Sequence, residues 1–346
     1  MRPPICHINL AKHFRGGERQ TELLVRELAA AGWPQRLIIR AGNPLGSRLE
    51  DVALLEQREV SSNPVAAALA CRGASLVHAH EARAVYSGWL SSVLFRIPYV
   101  LTRRVVNPQK PSGFRERAYR RASAAVAVSQ AAAAAMQRQQ NFLQPYVVPD
   151  ASASLSVDSS AVAAIRDRFA GKTLIGHVGA LEDATKGQRT LFEVARQAKA
   201  TREDWQFVLV GDGNDRQAFE TETEDLSNVH FEGFVDNVGD YLSAFDLFVF
   251  PSVQEAVGST LLDAMQVGLP IVASRTGGIP EIIVDGRNGV LIEPRDADGF
   301  FAAIDVILDD TAERVRLRAN NLDDAKKYAA DAMAAAYLSI YNTVLG

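Results

Sequence analysis

Short apolar runs alternate with longer amphipathic stretches along most of this 346-residue chain. Ile5–Leu10, Arg36–Arg40, Ser75–His80, Tyr99–Thr102, Ala125–Ser129 and Tyr146–Pro149 read as strands. Between the first two, Thr21, Leu24, Val25, Leu28 and Ala31 recur at helical spacing. A polar, low-complexity stretch at 151–160 interrupts the pattern and reads as a linker. The alternation then restarts, with strands predicted at Thr173–Gly179, Phe207–Gly211, Val229–Phe231, Leu247–Phe250, Ile271–Ser274 and Val290–Ile292. Helices are predicted at Gln188–Ala200, Arg216–Thr223, Ser259–Val267 and Asp296–Leu308. The terminal stretch Asp323–Val344 reads as one more, with Tyr337, Ile340 and Tyr341 at packing spacing. Such alternation predicts an α/β protein with parallel sheets. The length and the interruption predict two domains, 1–150 and 161–324.

Composition narrows the class. With 47% hydrophobic and 23% charged residues, the chain reads as an ordinary globular protein. Two cysteines, Cys6 and Cys71, form no disulfide framework and no metal-ligand spacing, which fits a reducing cytoplasm. Cys6 lies within the first apolar run and reads as a buried thiol. That run is too short for a signal peptide. No stretch approaches the roughly 18 apolar residues of a membrane span. The alanine-rich Ala122–Ala135 is broken by Ser123, Ser129 and Gln130 and reads as a strand followed by a helix.

The net charge of −4 conceals an asymmetry. Residues 1–150 hold 20 Lys/Arg against 10 Asp/Glu, whereas 151–346 hold 17 against 31. Two units with different partners are expected from such a split. The absence of a stacking motif or reading module argues against nucleic acid as the partner of the basic half.

The candidate chemistry concentrates in residues 250–294. The strand Leu247–Phe250 leads to a loop ending at Glu255, after which Val257, Gly258, Ser259 and Thr260 open a helix carrying Asp263. The strand Ile271–Ser274 leads to Gly277-Gly278, then Pro280-Glu281, a second helix start. Helix N-termini at the carboxyl ends of parallel strands are receptive to phosphate. Carboxylates eight positions apart, at 255 and 263, suit a ligand with hydroxyls on both sides of its phosphates, the shape of a nucleotide sugar.

This block resembles the retaining glycosyltransferases of family 4. Their Glu, seven residues, Glu signature stands here as Glu255…Asp263, followed by Ala264-Met265, Gly268-Leu269-Pro270 and Gly277-Gly278-Ile279-Pro280-Glu281. The match runs on through Asp285-Gly286 and Asn288-Gly289. The resemblance implies the GT-B fold, two doubly wound Rossmann-like domains facing across a cleft. An acceptor-binding domain of 1–150 would be rejoined by a last helix from about residue 325, and 161–324 would bind the donor.

The resemblance also implies roles. Glu255 would orient the donor sugar and favour positive charge at its anomeric carbon, while amides at Val257–Thr260 hold sugar and distal phosphate. Lys186, in a Lys-Gly pair, would neutralise the leaving diphosphate. Asp263 would take the ribose hydroxyls, its reach shorter than that of the usual glutamate by about 1.5 Å. Gly16 and Gly17, before a helix starting near Glu18, match the glycine loop that abuts the diphosphate. Phe234 is a candidate to stack on the base, against the ordinary fate of an aromatic after a strand, which is core packing.

On the acceptor side stands His80, which shares a strand face with His78. Arg103 and Arg104 follow Thr102 where many relatives place a histidine, and they suggest an anionic acceptor. The stretch 96–121, with eight basic residues and Glu116 as its one acid, points the same way or else is a solvated basic face. The arginine often found beside the diphosphate is Ala180 here.

The expected activity is therefore transfer of a hexose-type sugar, with retention, from a UDP or GDP sugar to an acceptor hydroxyl. The acceptor is expected to be an anionic glycan or lipid-linked glycan of the bacterial envelope, such as lipopolysaccharide core. The expected place is the cytoplasm, with peripheral contact at the inner leaflet compatible with the basic half. No cofactor and no metal are expected, since no Asp-x-Asp motif stands in a suitable place. The alternatives are a nucleotide-sugar-binding scaffold without turnover, motivated by Ala180 and Asp263, or an epimerase of the same shape.

Overall fold

The computed structural model describes residues 2–107, 112–153 and 155–346 and divides into two units, 1–151 with 329–346, and 152–328. The first is built on a seven-stranded parallel sheet of order β3-β2-β1-β4-β5-β6-β7. Its strands are β1 (Ile5–Asn9), β2 (Gln35–Arg40), β3 (Leu55–Val60), β4 (Leu76–Ala79), β5 (Tyr99–Arg103), β6 (Ala124–Ala127) and β7 (Tyr146–Val147). β1, β4 and β5 are buried along their whole length, as expected of parallel strands covered by helices on both faces. β3 does not follow from the sequence pattern. It is an edge strand with Glu56, Arg58 and Glu59 exposed, so it lacks the apolar run that marks the others. Cys6 and Cys71 are fully covered, their sulfurs 3.6 Å apart.

The helix Ala330–Leu345 closes the first unit. Met333, Ala334, Tyr337, Ile340 and Tyr341 enter the core formed by Ile5, Leu24, Leu28, Leu76 and Val100. The single terminal helix expected over Asp323–Val344 is in fact two. Thr311–Ala325 ends in a turn of 3₁₀ helix, Lys326–Tyr328, and Ala329 takes an extended conformation before the last helix begins. The chain passes between units at this break.

The second unit carries six parallel strands, β8 (Thr173–Val178), β9 (Trp205–Val210), β10 (Val229–Gly233), β11 (Leu247–Phe250), β12 (Ile271–Ser274) and β13 (Val290–Ile292), in the order β10-β9-β8-β11-β12-β13. The order reverses between β8 and β11, and open α/β sheets bind ligands at such a reversal, beyond the carboxyl ends of the strands. Within the expected linker, Ser154 lies outside the described residues. Ser152 is not loose but donates from its amide to the Tyr328 carbonyl at 2.8 Å, and a helix starts at Ser159. Residues 108–111 of the basic stretch also lie outside the described residues.

Candidate active site

Three loops of the second unit interlock at the reversal point. After β8 the short helix Asp183–Lys186 ends at Gly187, whose φ of +66° is left-handed. A Cβ on Gly187 would stand 2.3 Å from the Pro251 carbonyl oxygen, just past β11. The Thr185 carbonyl accepts amide hydrogens from Val253 and Gln254 at 2.9 and 3.1 Å. From beyond β12, Gly277 presses so closely that a Cβ would lie 1.8 Å from the Glu255 carbonyl oxygen. Gly278 donates to that same oxygen at 3.2 Å, and Thr276 Oγ1 donates to the Val253 carbonyl at 3.0 Å. Glycines are required at 187 and 277 because only they allow this approach.

The result is a fixed juxtaposition of Lys186 and Glu255. Lys186 Nζ forms an ion pair with Glu255 Oε2, both side chains being partly covered, and the ammonium sits 5.3 Å from the centre of the Phe250 ring. Beneath them His177 is fully buried, with Nδ1 3.0 Å from the Val249 carbonyl oxygen. Burial pushes its pKa down to about 4, with the Lys186 charge acting in the same direction. The helix Ser259–Gln266 starts at Gly258, which has a φ of +82° and supplies no side chain to cap it. The Leu261 amide donates back to the Gly258 carbonyl at 2.8 Å, whereas those of Ser259 and Thr260 precede the intrahelical ladder.

Asp263 is only 1% exposed, and its Oδ1 accepts the Ala153 amide hydrogen at 3.2 Å. The carboxylate expected at the ribose therefore has one oxygen engaged by backbone. Phe234, past β10, is 71% exposed, so it does not take the core position usual for such an aromatic.

In the first unit the helix Gly16–Ala30 begins at the glycine pair itself, two residues earlier than expected. Glu18 Oε2 accepts the Arg15 amide hydrogen at 3.0 Å and fixes this start. A Cβ on Gly17 would lie 3.5 Å from Arg104 Cδ. Arg104 pairs with Asp150, and its Nε and Nη2 are buried without a hydrogen-bond partner among the described residues. Burial works to lower the Arg104 pKa, but the Asp150 charge prevails and raises it. Arg103 does not share this setting. It is 4% exposed and held by the Val105 carbonyl at 3.0 Å, Gln139 Oε1 at 2.9 Å and the Asn107 carbonyl. Of the two arginines expected on the acceptor side, Arg103 ties its own loop, while Arg104 keeps two donors without a partner among the described residues.

His80 is buried with two other imidazoles. Its Nε2 lies 3.0 Å from His7 Nδ1, and its ring centre lies 3.8 Å from that of His78. His78 is held at both nitrogens, by the Tyr341 hydroxyl at 2.6 Å and Thr102 Oγ1 at 2.7 Å. Burial lowers His7 to about 4 and pushes His78 and His80 well below the usual imidazole value, neighbouring imidazoles adding to the last two. One nitrogen from each ring lies within 4.8 Å of the others, a ligand-like cluster. With no carboxylate among them, the nearby Arg104 charge and both His78 nitrogens engaged, these neutral rings suit a polar core contact better than a cation.

His7, Asp150 and His177 were absent from the expected site. His7 joins His78 through the β1–β4 register, and spacing within one strand carries no information about that. Asp150 is the last residue of the expected first domain, with no motif around it.

Residues 172–310 match the family described as glycosyl transferases group 1. This match, confined to the second unit, agrees with the family 4 resemblance of the Glu255 block. LpsE of Rhizobium meliloti, a lipopolysaccharide core biosynthesis glycosyltransferase, is 31% identical over 159 residues, 45% of this chain and 46% of LpsE. The N-acetyl-α-D-glucosaminyl L-malate synthase of Bacillus anthracis is 33% identical over 42% of this chain and 39% of its own. The chain spans about half, or less, of the length of these curated relatives. Among solved structures, HepE of Anabaena in complex with UDP and glucose superposes with a TM-score of 0.85 at 19% identity, covering 99% of this chain and 100% of that one. Sucrose-phosphate synthase from Thermosynechococcus elongatus gives 0.84 at 21%, covering 99% of both. At these identities the likeness is one of fold, and the fold is GT-B, as expected.

Proposed function

We propose that this chain is a group 1 glycosyltransferase that moves a hexose-type sugar, with retention, from a UDP sugar to a hydroxyl of an envelope glycan. The observation that carries the reading is the Lys186–Glu255 pair beside the uncapped start of the helix Ser259–Gln266. In the proposed step the donor diphosphate draws the Lys186 ammonium away from Glu255, and the amides of Val257–Thr260 share its charge. Glu255, released, accepts hydroxyls of the sugar and favours the positive charge that grows at its anomeric carbon. The leaving phosphate oxygen can take the acceptor proton, so no dedicated protein base is needed. Lysine and helix amides replace a cation in neutralising the leaving group, and activity is expected to persist in EDTA.

Support for UDP comes from HepE, which is described with UDP and with UDP-glucose. Exposed Phe234 suits a stacked base. Asp263, in the helix Ser259–Gln266, is assigned to the ribose hydroxyls, which it would meet through a shift of the segment around Ala153. Support for a core glycan comes from LpsE and from LpsD, a second R. meliloti core glycosyltransferase at 32% identity. In the first unit, Gly16 and Gly17 are assigned to the diphosphate and Arg104, with two donors lacking a partner among the described residues, to an anionic acceptor, whereas His80 belongs to the core.

The test is release of UDP from UDP-glucose and related donors, with and without core oligosaccharide. Lys186→Ala and Glu255→Gln are each expected to lower kcat by roughly 10²- to 10³-fold while the far-UV spectrum is unchanged. Wild-type protein that binds UDP but never releases sugar would instead establish the scaffold alternative.

A further inference from the structure

Away from these residues, the helices Ala82–Leu94 and Gly113–Arg121 of the first unit pack side by side. On the first, Tyr86, Trp89 and Val93 fall on one stripe at helical spacing. Phe114 from the second completes the cluster, stacked on Tyr86 with centroids 5.1 Å apart and edge-on to Trp89 at 4.7 Å. The cluster is not core. Phe114 is 39% exposed, Val93 47% and the adjoining Leu94 52%.

Arginines stand on the same two helices and just past the end of the first. Arg83, Arg96, Arg117 and Arg120 are all exposed, and Glu116 is the one acidic residue from 82 to 121. That single acid is already paired with Arg120 at 2.9 Å. The two helices are also held firmly. Arg121 donates to Ser92 Oγ at 2.7 Å and to the Ser92 carbonyl at 3.0 Å, and the Tyr99 hydroxyl donates to the Ala118 carbonyl. Gly88 lets the Tyr99 ring pass beneath the first helix, where a Cβ would be 2.9 Å from it.

We propose that this face docks the protein on the surface of a bilayer containing anionic phospholipid. Aromatic rings with a polar edge beside bare aliphatics match the headgroup boundary, and the arginines match its phosphates. The charge is of one sign and unbalanced, in a half of the chain that carries 20 basic residues against 10 acidic. A nucleic-acid face would have no use for Val93 and Leu94. A second copy of the same face would bring like charges together. None of these residues is among those assigned to sugar transfer, and the test does not depend on that activity.

The experiment is co-sedimentation of the full chain with vesicles of phosphatidylcholine alone or mixed with phosphatidylglycerol, at low and high salt. Wild type is expected to bind the mixed vesicles and to be released by salt. Arg83→Glu with Arg117→Glu should weaken binding by at least about 20-fold, taking roughly 5-fold for each basic residue lost at an anionic surface. Phe114→Ser, a change at an exposed position, should weaken binding while leaving thermal unfolding unaltered. Equal binding to both vesicle types, or binding indifferent to both variants, would overturn the proposal. So would a dimer in vesicle-free buffer that Phe114→Ser converts to monomer, which would make the face a self-association surface.

Discussion

At Gly277 a single added methyl group would collide with the carbonyl oxygen of Glu255. Because the intruding atom meets backbone and the φ of +54° is left-handed, the loop cannot absorb it by turning a side chain. Gly277→Ala is therefore expected to displace Glu255 and cut kcat at least 10-fold, while Gly286→Ala, whose left-handed glycine has open space around it, should leave kcat unchanged. Steady-state transfer assays on the two variants check the contrast. Glu255 and Lys186 were legible in the sequence because their neighbours form a long, specific pattern. Asp263 was legible as an acidic position but not as a backbone acceptor, since the Ala153 amide comes from 110 residues away. Arg103 and Arg104 looked equivalent as neighbours. Arg103 ends β5 and turns into its own loop, whereas Arg104, one residue past the strand, turns toward Asp150.

Strands β1 and β4 place three neutral imidazoles in one core, where the last helix adds Tyr341. Burial holds His7 at about 4 in the folded chain against 6.5 when unfolded, and it holds His78 and His80 well below that ordinary value too. Between these values the unfolded state binds more protons, so stability is full above about pH 6.5 and falls as pH drops toward 4. His177 imposes the same sign on the second unit, but there it acts alone among the described residues. The first unit should accordingly unfold at a higher pH than the second. Acid titration of Trp205→Phe, which leaves Trp33 and Trp89 as reporters of the first unit, against wild type would show it; a first unit that outlasts the second would refute it. Most of the strands were readable from apolar runs. β3 was not, because an edge strand needs no apolar face, and the break at Ala329 was not, because the helical spacing continues across it.

On the scale of the whole chain, family likeness and legibility are both uneven. The family match covers 172–310 and leaves the first unit outside it. Phosphate and sugar impose recurring loops on a donor domain, whereas an acceptor is met by shape and charge that leave no short motif. If the donor reading holds, UDP at 100 times its Kd should stabilise the second unit by about 2.7 kcal/mol, seen as a later transition of Trp205. No shift with UDP or with GDP would count against nucleotide-sugar binding. Should the two units melt separately, one midpoint for the whole chain would obscure this.

The pair of covered sulfurs in the first unit gives the molecule an internal clock. Cys6 and Cys71 are its sole cysteines, and both belong to that unit. Alkylation must wait for their surroundings to open, so its rate reports breathing of this one half with no engineered label. A bilayer or acceptor that steadies the half will slow the reaction, and a nucleotide held by the other half can be judged by whether its influence crosses over.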